Sequence, residues 1–186
     1  MKTRLTAVPT LFFAVLLAIA GFAFGVPNAS AANATNPNIS PISDAVHHKL
    51  AMLPWYGVFD NLAYQVNGSE VILSGQVISE HDRTKYDAES EVKRIPGVTK
   101  VVNNIEVLPP SPFDNQIRRA EYRAIFSRSY LGRYTMGPIP QLHIIVNGGH
   151  VTLEGVVMNE MDRTVAGISA NEVPGVFSVT NNLRVE

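Results

Sequence analysis

The side chains most often used in catalysis are present in this chain, but their spacing matches no catalytic or metal-binding motif. Histidine occurs at His47, His48, His81, His143 and His150. The adjacent pair His47 and His48 would point about 100° apart on a helix and would not offer a metal ion two ligands on one face. The sequence has no HExxH motif, no Asp-x-Asp loop and no nucleophile elbow. A Ser/His/Asp set assembled by folding stays open, but the pattern favours a non-enzymatic protein without metal or cofactor.

Composition excludes further classes of site. The chain has no cysteine, which excludes disulfides, thiol nucleophiles and zinc–thiolate sites. Its 15 basic and 16 acidic residues nearly balance, and the basic residues are clustered locally. A general affinity for polyanions is therefore absent, and we expect no nucleic-acid partner.

The most suggestive chemistry lies in residues 114–134, where arginines alternate with aromatic residues. The arginines are Arg118, Arg119, Arg123, Arg128 and Arg133, and the aromatic residues are Tyr122, Phe126, Tyr130 and Tyr134. On a helical wheel Ile117, Ala120, Ala124 and Leu131 share one side, and Tyr122, Phe126 and Tyr130 gather opposite with Arg119, Arg123 and Arg133. Such a face suits an anionic membrane, because cations meet phosphates while the rings sit at headgroup depth. The alternative is that the aromatic stripe faces the core and the arginines surround it.

A second candidate contact is the aromatic segment that contains Trp55, Tyr56 and Phe59. If exposed, it would be an interfacial anchor or a knob that docks on another protein. The alternative, which we favour, is a plug for the open end of a small core.

The chain also carries two equivalent charged pairs, Asp82-Arg83 and Asp162-Arg163. They could bind a ligand. We favour the simpler interpretation, a carboxylate in the first turn of a helix followed by a surface arginine.

The first 31 residues have the pattern of a secretory signal peptide. Lys2 and Arg4 form a basic start, residues 11–26 are almost entirely apolar, and Ala29-Ser30-Ala31 suits cleavage before Ala32. An uncleaved membrane anchor is the alternative. Because no cysteine follows the apolar run, a lipoprotein is excluded. We expect a periplasmic protein with a flexible leader over residues 32–41.

The rest of the chain is an internal repeat, which predicts two small modules. Residues Val66–Val107 match Val146–Val185. The copies are eighty positions apart from Val66 to Thr84, and after a two-residue deletion they match again from Pro96 and Pro174 onward. In each copy a helix is followed by two strands around an Asn-Gly turn, a second helix, a Pro-Gly turn and a last strand. We predict an α+β fold of two αββαβ modules, residues 42–108 and 114–186, joined by a linker over 109–113. Each module is a three-stranded mixed sheet with helices packed on one face.

Several small residues are predicted to shape this scaffold. Gly75 and Gly155 fall on the apolar face of a strand, which indicates that a helix of the same module packs too close for a side chain. Gly97 and Gly175 belong to the Pro-Gly turns. Two helix N-caps are predicted, at Ser79 and Asn159.

The ordered set of repeated residues resembles the BON domain, a module of bacterial envelope proteins. In the first copy the set is Val71-x-Leu73-x-Gly75-x-Val77, Asp82-Arg83, Ile95-Pro96-Gly97-Val98, Val101 and Asn103 to Val107. The second copy has Val151-x-Leu153-x-Gly155-x-Val157, Asp162-Arg163, Val173-Pro174-Gly175-Val176, Val179 and Asn181 to Val185. The resemblance implies an αββαβ fold, export, no catalytic centre and binding to phospholipid or other envelope surfaces.

These observations lead to a functional hypothesis with one alternative. We expect an exported, non-enzymatic protein that associates with anionic phospholipid or an envelope protein, in protection of the envelope against osmotic or other stress. The alternative is a periplasmic adaptor or chaperone-like module that uses its open sheet faces. The repeated residues specify the scaffold, so we expect function where the copies differ: the helix at 114–131 and the Trp55 segment.

Overall fold

The described part of the chain begins at the first helix. The computed structural model describes residues 41–127, 130–137 and 139–186. The predicted signal peptide and residues 32–40 of the predicted leader lie outside the described residues, as does Arg128. Pro41, which we predicted to end the leader, is already helical. No helix within the described ranges is long and apolar enough to cross a membrane.

Module 1 is a mixed three-stranded sheet with two helices. Its elements are α1 (Pro41–Ala51), β1 (Asn61–Asn67), β2 (Glu70–Val77), α2 (Asp82–Lys93) and β3 (Lys100–Val107). The strand order is β1-β2-β3, with β1 antiparallel and β3 parallel to β2. A hairpin turn at Gly68 joins β1 to β2, and a parallel pair then requires the α2 crossover.

Module 2 repeats this plan with a longer first helix and a divided last strand. Its elements are α3 (Pro112–Phe126), β4 (Leu142–Asn147), β5 (His150–Val157), α4 (Glu160–Asn171), β6 (Ser178–Asn181) and β7 (Arg184–Val185). A short 3-10 helix, Leu131–Thr135, lies between α3 and β4. β4 is antiparallel to β5, and both β6 and β7 are parallel to it. The predicted α+β class and the αββαβ order of each module are confirmed.

Two local predictions differ from the structure. The helix predicted to reach Leu131 ends at Phe126, with Ser127 as its C-cap. Ser79 does not cap α2: it opens a short 3-10 turn, and its hydroxyl donates to the Glu80 carboxylate instead (3.0 Å). Asn159 does cap α4, since its side-chain oxygen accepts from the amide of Asp162 (2.9 Å). Because the 3-10 turn intervenes, α2 begins only at Asp82 with His81 in the N-cap position, and Ser79 lies too early in the chain to accept from the first amides of the helix.

Each module buries its own apolar core between its helices and one sheet face. The module 1 core comprises Val46, Leu50, Leu53, Val71, Leu73, Val77, Ala88, Val92, Ile95 and Ile105. The module 2 core comprises Ile117, Ile125, Leu131, Tyr134, Leu142, Ile144, Val146, Val151, Leu153, Val157, Ala166, Ala170 and Leu183. In β2 and β5 the core residues alternate with outward ones, as half-buried strands require.

The repeated strand glycines are needed for a different reason from the one predicted. Gly75 has a φ of +114°, and a Cβ there would lie 2.0 Å from the carbonyl oxygen of Asn61. Gly155 has the same relation to Gln141, also at 2.0 Å. The close neighbour is thus the backbone that leads into the adjacent strand, and the prediction that a helix causes the close approach is wrong. Gly97 and Gly175 also have positive φ, in the predicted turns.

The two modules meet through a small apolar contact. Ile78 and Leu108, which follow β2 and β3, pack with Ile145 of β4, and Phe59 covers them. Leu142, Ile144 and Val146 point into the core of module 2, so Ile145 lies on the opposite face of β4. The contact with module 1 therefore buries both faces of this edge strand.

Candidate functional site

Helix α3 presents one face to the core and a cationic face to the surface. Ile117, Glu121 and Ile125 are buried one turn apart, and they define the inner face. Arg119 and Arg123 are exposed on the outer face. Of the two orientations left open by the sequence, the structure has the one in which the Ile117 side is buried.

The N-terminal end of α3 is held by several polar contacts. Ser111 is its N-cap and accepts from the amide of Asp114 (3.1 Å). The buried Asp114 carboxylate in turn accepts from the amides of Gly148 (3.0 Å) and Gly149 (2.9 Å) in the β4–β5 hairpin. Arg118, also buried, donates to the carbonyl oxygen of Val146 (2.6 Å). These bonds fix the rotation of α3 on the sheet, so the outer face has a defined direction.

The guanidinium groups of Arg119 and Arg123 are available to bind an anion. Neither side chain has a hydrogen bond or ion pair with any residue in the described ranges. Tyr122 beside them is 41% exposed, and its ring centroid lies 5.0 Å from that of the half-buried Phe126. Tyr130 is also exposed. Of the residues that the sequence predicts for one surface, Arg119, Tyr122, Arg123 and Tyr130 are exposed, whereas Phe126 packs partly against the module 2 core.

Arg133 differs from the other candidate arginines because it is already engaged. Its guanidinium bonds to the Asp162 carboxylate and lies over the Tyr134 ring, 5.1 Å from the centroid. Hydrogen bonds to Tyr134 and Asp162 raise the pKa of Arg133 above its ordinary value. Asp162 also accepts from the Tyr134 hydroxyl. Arg133 thus ties the segment after α3 to the start of α4, a structural position.

The aromatic segment before β1 divides between surface and interior. Trp55 is exposed, with its ring centroid 6.3 Å from that of His81. Tyr56 instead stacks on His143 of β4, with centroids 5.2 Å apart, and burial raises the pKa of Tyr56 to about 12. Phe59 is half-buried against Ile145 and has an edge contact with Tyr122, at 6.3 Å. Only Trp55 of this group is presented to solvent as a candidate contact; Tyr56 and Phe59 pack at the contact between the modules.

A buried polar cluster, which the sequence did not predict, lies at the same contact. The Asp60 carboxylate accepts from the amides of Gly57 and Ile78, both at 3.0 Å, and pairs with Nδ1 of His81 at 2.7 Å. His143 Nδ1 lies 3.2 Å from the Gly57 carbonyl oxygen, and Nε2 lies 3.3 Å from the Tyr56 hydroxyl. Burial lowers the pKa of His143. Since backbone groups occupy most of these positions, the cluster holds the segment in place.

Glu121 is a second feature, after the polar cluster, that the sequence analysis did not predict. It is fully buried, and neither carboxylate oxygen has a hydrogen-bond partner in the described structure. Burial raises its pKa to about 8, so the carboxyl is largely neutral at pH 7. Its position midway between Ile117 and Ile125 was the signal in the sequence, because the helical period places all three on one face.

Fold and site together define the class of protein: a pair of αββαβ modules that presents a cationic helix face. Within the described residues there is no group of three His, Asp or Glu side chains placed to hold a metal ion. The BON domain model matches residues 40–109 and again 129–186. The chain belongs to the BON domain family and contains two copies of the domain. This family is non-catalytic and is associated with phospholipid membranes and envelopes.

Two of the solved structures that match this chain are of one secretion-system protein. One is the C-terminal domain of CdsD, the structural protein of the type III secretion system of Chlamydia trachomatis, at 13% identity and a TM-score of 0.30, covering 77% of this chain and 96% of that one. A second structure of CdsD gives the same identity and TM-score and covers 91% of its own chain. A likeness at this TM-score carries no functional argument. The comparison with curated proteins gives no match.

Proposed function

We propose that this protein is exported to the periplasm, where it binds anionic phospholipid membranes through the outer face of α3, in protection of the envelope under stress. The observation that carries the proposal is the exposure of Arg119 and Arg123 without acidic partners in the described ranges. Basic residues near an anionic surface each contribute about 1 kcal/mol to binding. Tyr122 and Tyr130 beside them offer rings suited to headgroup depth.

Vesicle flotation tests this proposal on the mature chain. We expect binding to vesicles of phosphatidylglycerol and phosphatidylcholine, little binding to phosphatidylcholine alone, and weaker binding at high salt. The double variant Arg119→Glu/Arg123→Glu should bind at least about tenfold more weakly. Arg83→Glu/Arg184→Glu makes the same change in net charge at two exposed sites elsewhere and should bind as the unmodified chain does. Equal binding to both vesicle types, or equal losses in the two variants, would contradict a site on α3.

A second candidate function, the protein adaptor, is favoured by a separate observation. A groove of about 950 Å³ runs between the start of β1 and the open sheet face of module 2, with Tyr64, Gln141 and Arg184 among its lining residues. β1 is an edge strand, so an extended peptide could add to it. Affinity capture that yields one stoichiometric protein without lipid would favour the adaptor over the membrane-binding protein.

A further inference from the structure

Two exposed phenylalanines form a pair at one end of module 2. Phe113, the second residue of α3, is 45% exposed, and Phe177, between α4 and β6, is 70% exposed. Their ring centroids lie 6.1 Å apart. Exposed single apolar residues are ordinary on protein surfaces, but a contiguous aromatic pair on a defined scaffold requires an explanation.

Module 1 shows that the scaffold does not require this pair. Thr99 occupies the position equivalent to Phe177, and its hydroxyl lies 2.8 Å from that of Ser69 in the hairpin turn. Ile42 occupies the position equivalent to Phe113. Its side chain lies beside Gly97, just as the Phe113 ring lies beside Gly175. The same fold thus closes this end with a polar pair in one module and leaves two aromatic rings exposed in the other.

The pair is held in place by rigid elements. The amide of Phe177 donates to the carbonyl oxygen of Gly149 (2.8 Å). A Cβ on Gly149 would come within 2.7 Å of the Phe177 ring, so the ring can lie over the hairpin only because this residue is glycine. Asp114 holds the same hairpin against α3. Because the rings are already positioned, little conformational entropy would be lost when they contact a partner.

The pair adjoins Arg119 and Arg123 of α3. A groove of about 360 Å³ is lined by Phe113, Arg119, Arg123 and Pro174, together with Gln116, Ile117 and Ala120. Glu172 lines an adjoining groove that it shares with Arg123. The exposed face of α3 therefore has its cations between two aromatic groups, with Tyr122 on one side and the phenylalanine pair on the other.

These observations favour a lipid surface over a protein as the occupant. Two phenylalanine rings that are about half exposed present on the order of 200 Å² of apolar surface, well below the ~800 Å² per partner of a stable protein interface. A small apolar surface next to cations that have no ion pair in the described part of the chain has the chemistry that shallow insertion into an anionic bilayer requires.

We infer that Phe113 and Phe177 form a wedge that enters the acyl boundary of an anionic phospholipid bilayer while Arg119 and Arg123 contact the headgroup phosphates. The inference rests on the proposed function and names the part of the protein that penetrates. It places the penetrating residues in the N-terminal turn of α3 and the α4–β6 turn, at the end away from Tyr130.

The first test replaces Phe177 by the residue that module 1 has there. In flotation with phosphatidylglycerol-containing vesicles, Phe177→Thr should bind about 5- to 20-fold more weakly, because one phenylalanine loses its apolar contact. Tyr86→Thr is the matched control: Tyr86 is 65% exposed, on α2 of module 1, and its loss should leave binding unchanged. Equal binding by Phe177→Thr and the unmodified chain would overturn the wedge.

A second test measures insertion directly. The chain has one tryptophan, so Trp55→Phe/Phe177→Trp places the sole indole at the wedge. Acyl-chain-brominated phosphatidylglycerol should quench its fluorescence, but not that of Trp55→Phe/Tyr86→Trp. Flotation without quenching overturns the wedge and leaves the proposed function standing, whereas no flotation of the unmodified chain overturns both. Lipid-free dimers lost in Phe177→Thr, seen by sedimentation, would instead make this end an interface between copies.

Discussion

At the scale of residues, α3 combines a destabilising buried carboxyl group with an exposed cationic face, the proposed binding surface. Glu121 is fully buried between Ile117 and Ile125 and has no hydrogen-bond partner in the described structure. A carboxyl group in that setting is held neutral, because burial disfavours its charged form. Arg119 and Arg123, on the opposite face, keep their charge in water. The charge pattern of the helix therefore separates a titrating group in the core from permanent cations at the surface.

The free energy of unfolding should depend on pH because the pKa of Glu121 differs between the folded and unfolded chain. Its folded pKa of about 8 lies above the ordinary glutamate value of 4.5, so its contribution to stability is fully present below about pH 4.5 and is lost as pH rises through 8. Glu121→Leu should raise the free energy of unfolding by about 1–3 kcal/mol at pH 8.5 and by less at pH 5.5. Urea denaturation at both pH values measures this difference.

Glu121→Gln serves as the control for this prediction. It removes the titration but keeps a buried polar group without partners, so it should flatten the pH dependence while gaining little stability at pH 5.5. A difference between Glu121→Leu and the unmodified chain that is the same at both pH values would show that the carboxyl does not titrate between them.

At the scale of elements, the segment before β1 joins the modules. Its backbone carbonyl at Val58 accepts from the amide of Ile144 (2.8 Å), and Gly57 bonds to the His143 ring. Tyr56 stacks on the same ring. Tyr56 also packs against the core of module 1, and Phe59 covers residues of both modules. The segment therefore lies between the two cores, whereas the sequence alternative was a plug for one of them.

His143 should make this element sensitive to acid. Burial lowers the folded pKa of His143, so the unfolded chain takes up a proton first, and stability is lost as pH falls below about 6.5. The loss is at most about 1.4 kcal/mol per pH unit. His143→Asn keeps a donor that can reach Gly57 and does not titrate, so its free energy of unfolding should change less between pH 7 and pH 5.5. His150→Asn, at an exposed histidine, should behave as the unmodified chain; a parallel loss in both variants would contradict the prediction.

The elements themselves could be predicted because their causes are local. Asn-Gly and Pro-Gly turns, strand alternation and the repeat gave the αββαβ order, and the helical period of α3 separated its two sides. The rotation of α3 could not be chosen, since Ile117 and Tyr122 are both credible core residues. It depends on Asp114 and Arg118, which bond to a hairpin about thirty residues away. Likewise, the group that lies close to Gly75 is the backbone of another strand, and no local sequence pattern indicates that close approach.

At the scale of the whole molecule, the described residues from Pro41 onward fall within one compact unit, although each module has a core of its own. The coupling has an apolar part, in which Ile78 and Leu108 of module 1 pack with Ile145 of module 2 under Phe59, and a polar part, the bonds from the segment before β1 to Ile144 and His143. A short linker keeps the modules close, so this small contact can suffice to hold them together. The direction of the α3 surface relative to Trp55 depends on the same contact.

We expect the chain from residue 32 onward to unfold in a single calorimetric transition, and we expect Ile145→Ser to divide this transition into two. The Ile145 side chain points away from the core of module 2, so its removal weakens the contact between modules and leaves that core intact. The cost of losing a buried isoleucine is about 2–4 kcal/mol. Ile78→Ser, which weakens the contact from the module 1 side, should give the same two transitions. Ile72→Ser changes a half-buried residue on the outward face of β2 and should keep a single transition. If Ile145→Ser and Ile78→Ser only lower the midpoint of one transition, the two cores are coupled through more than this contact.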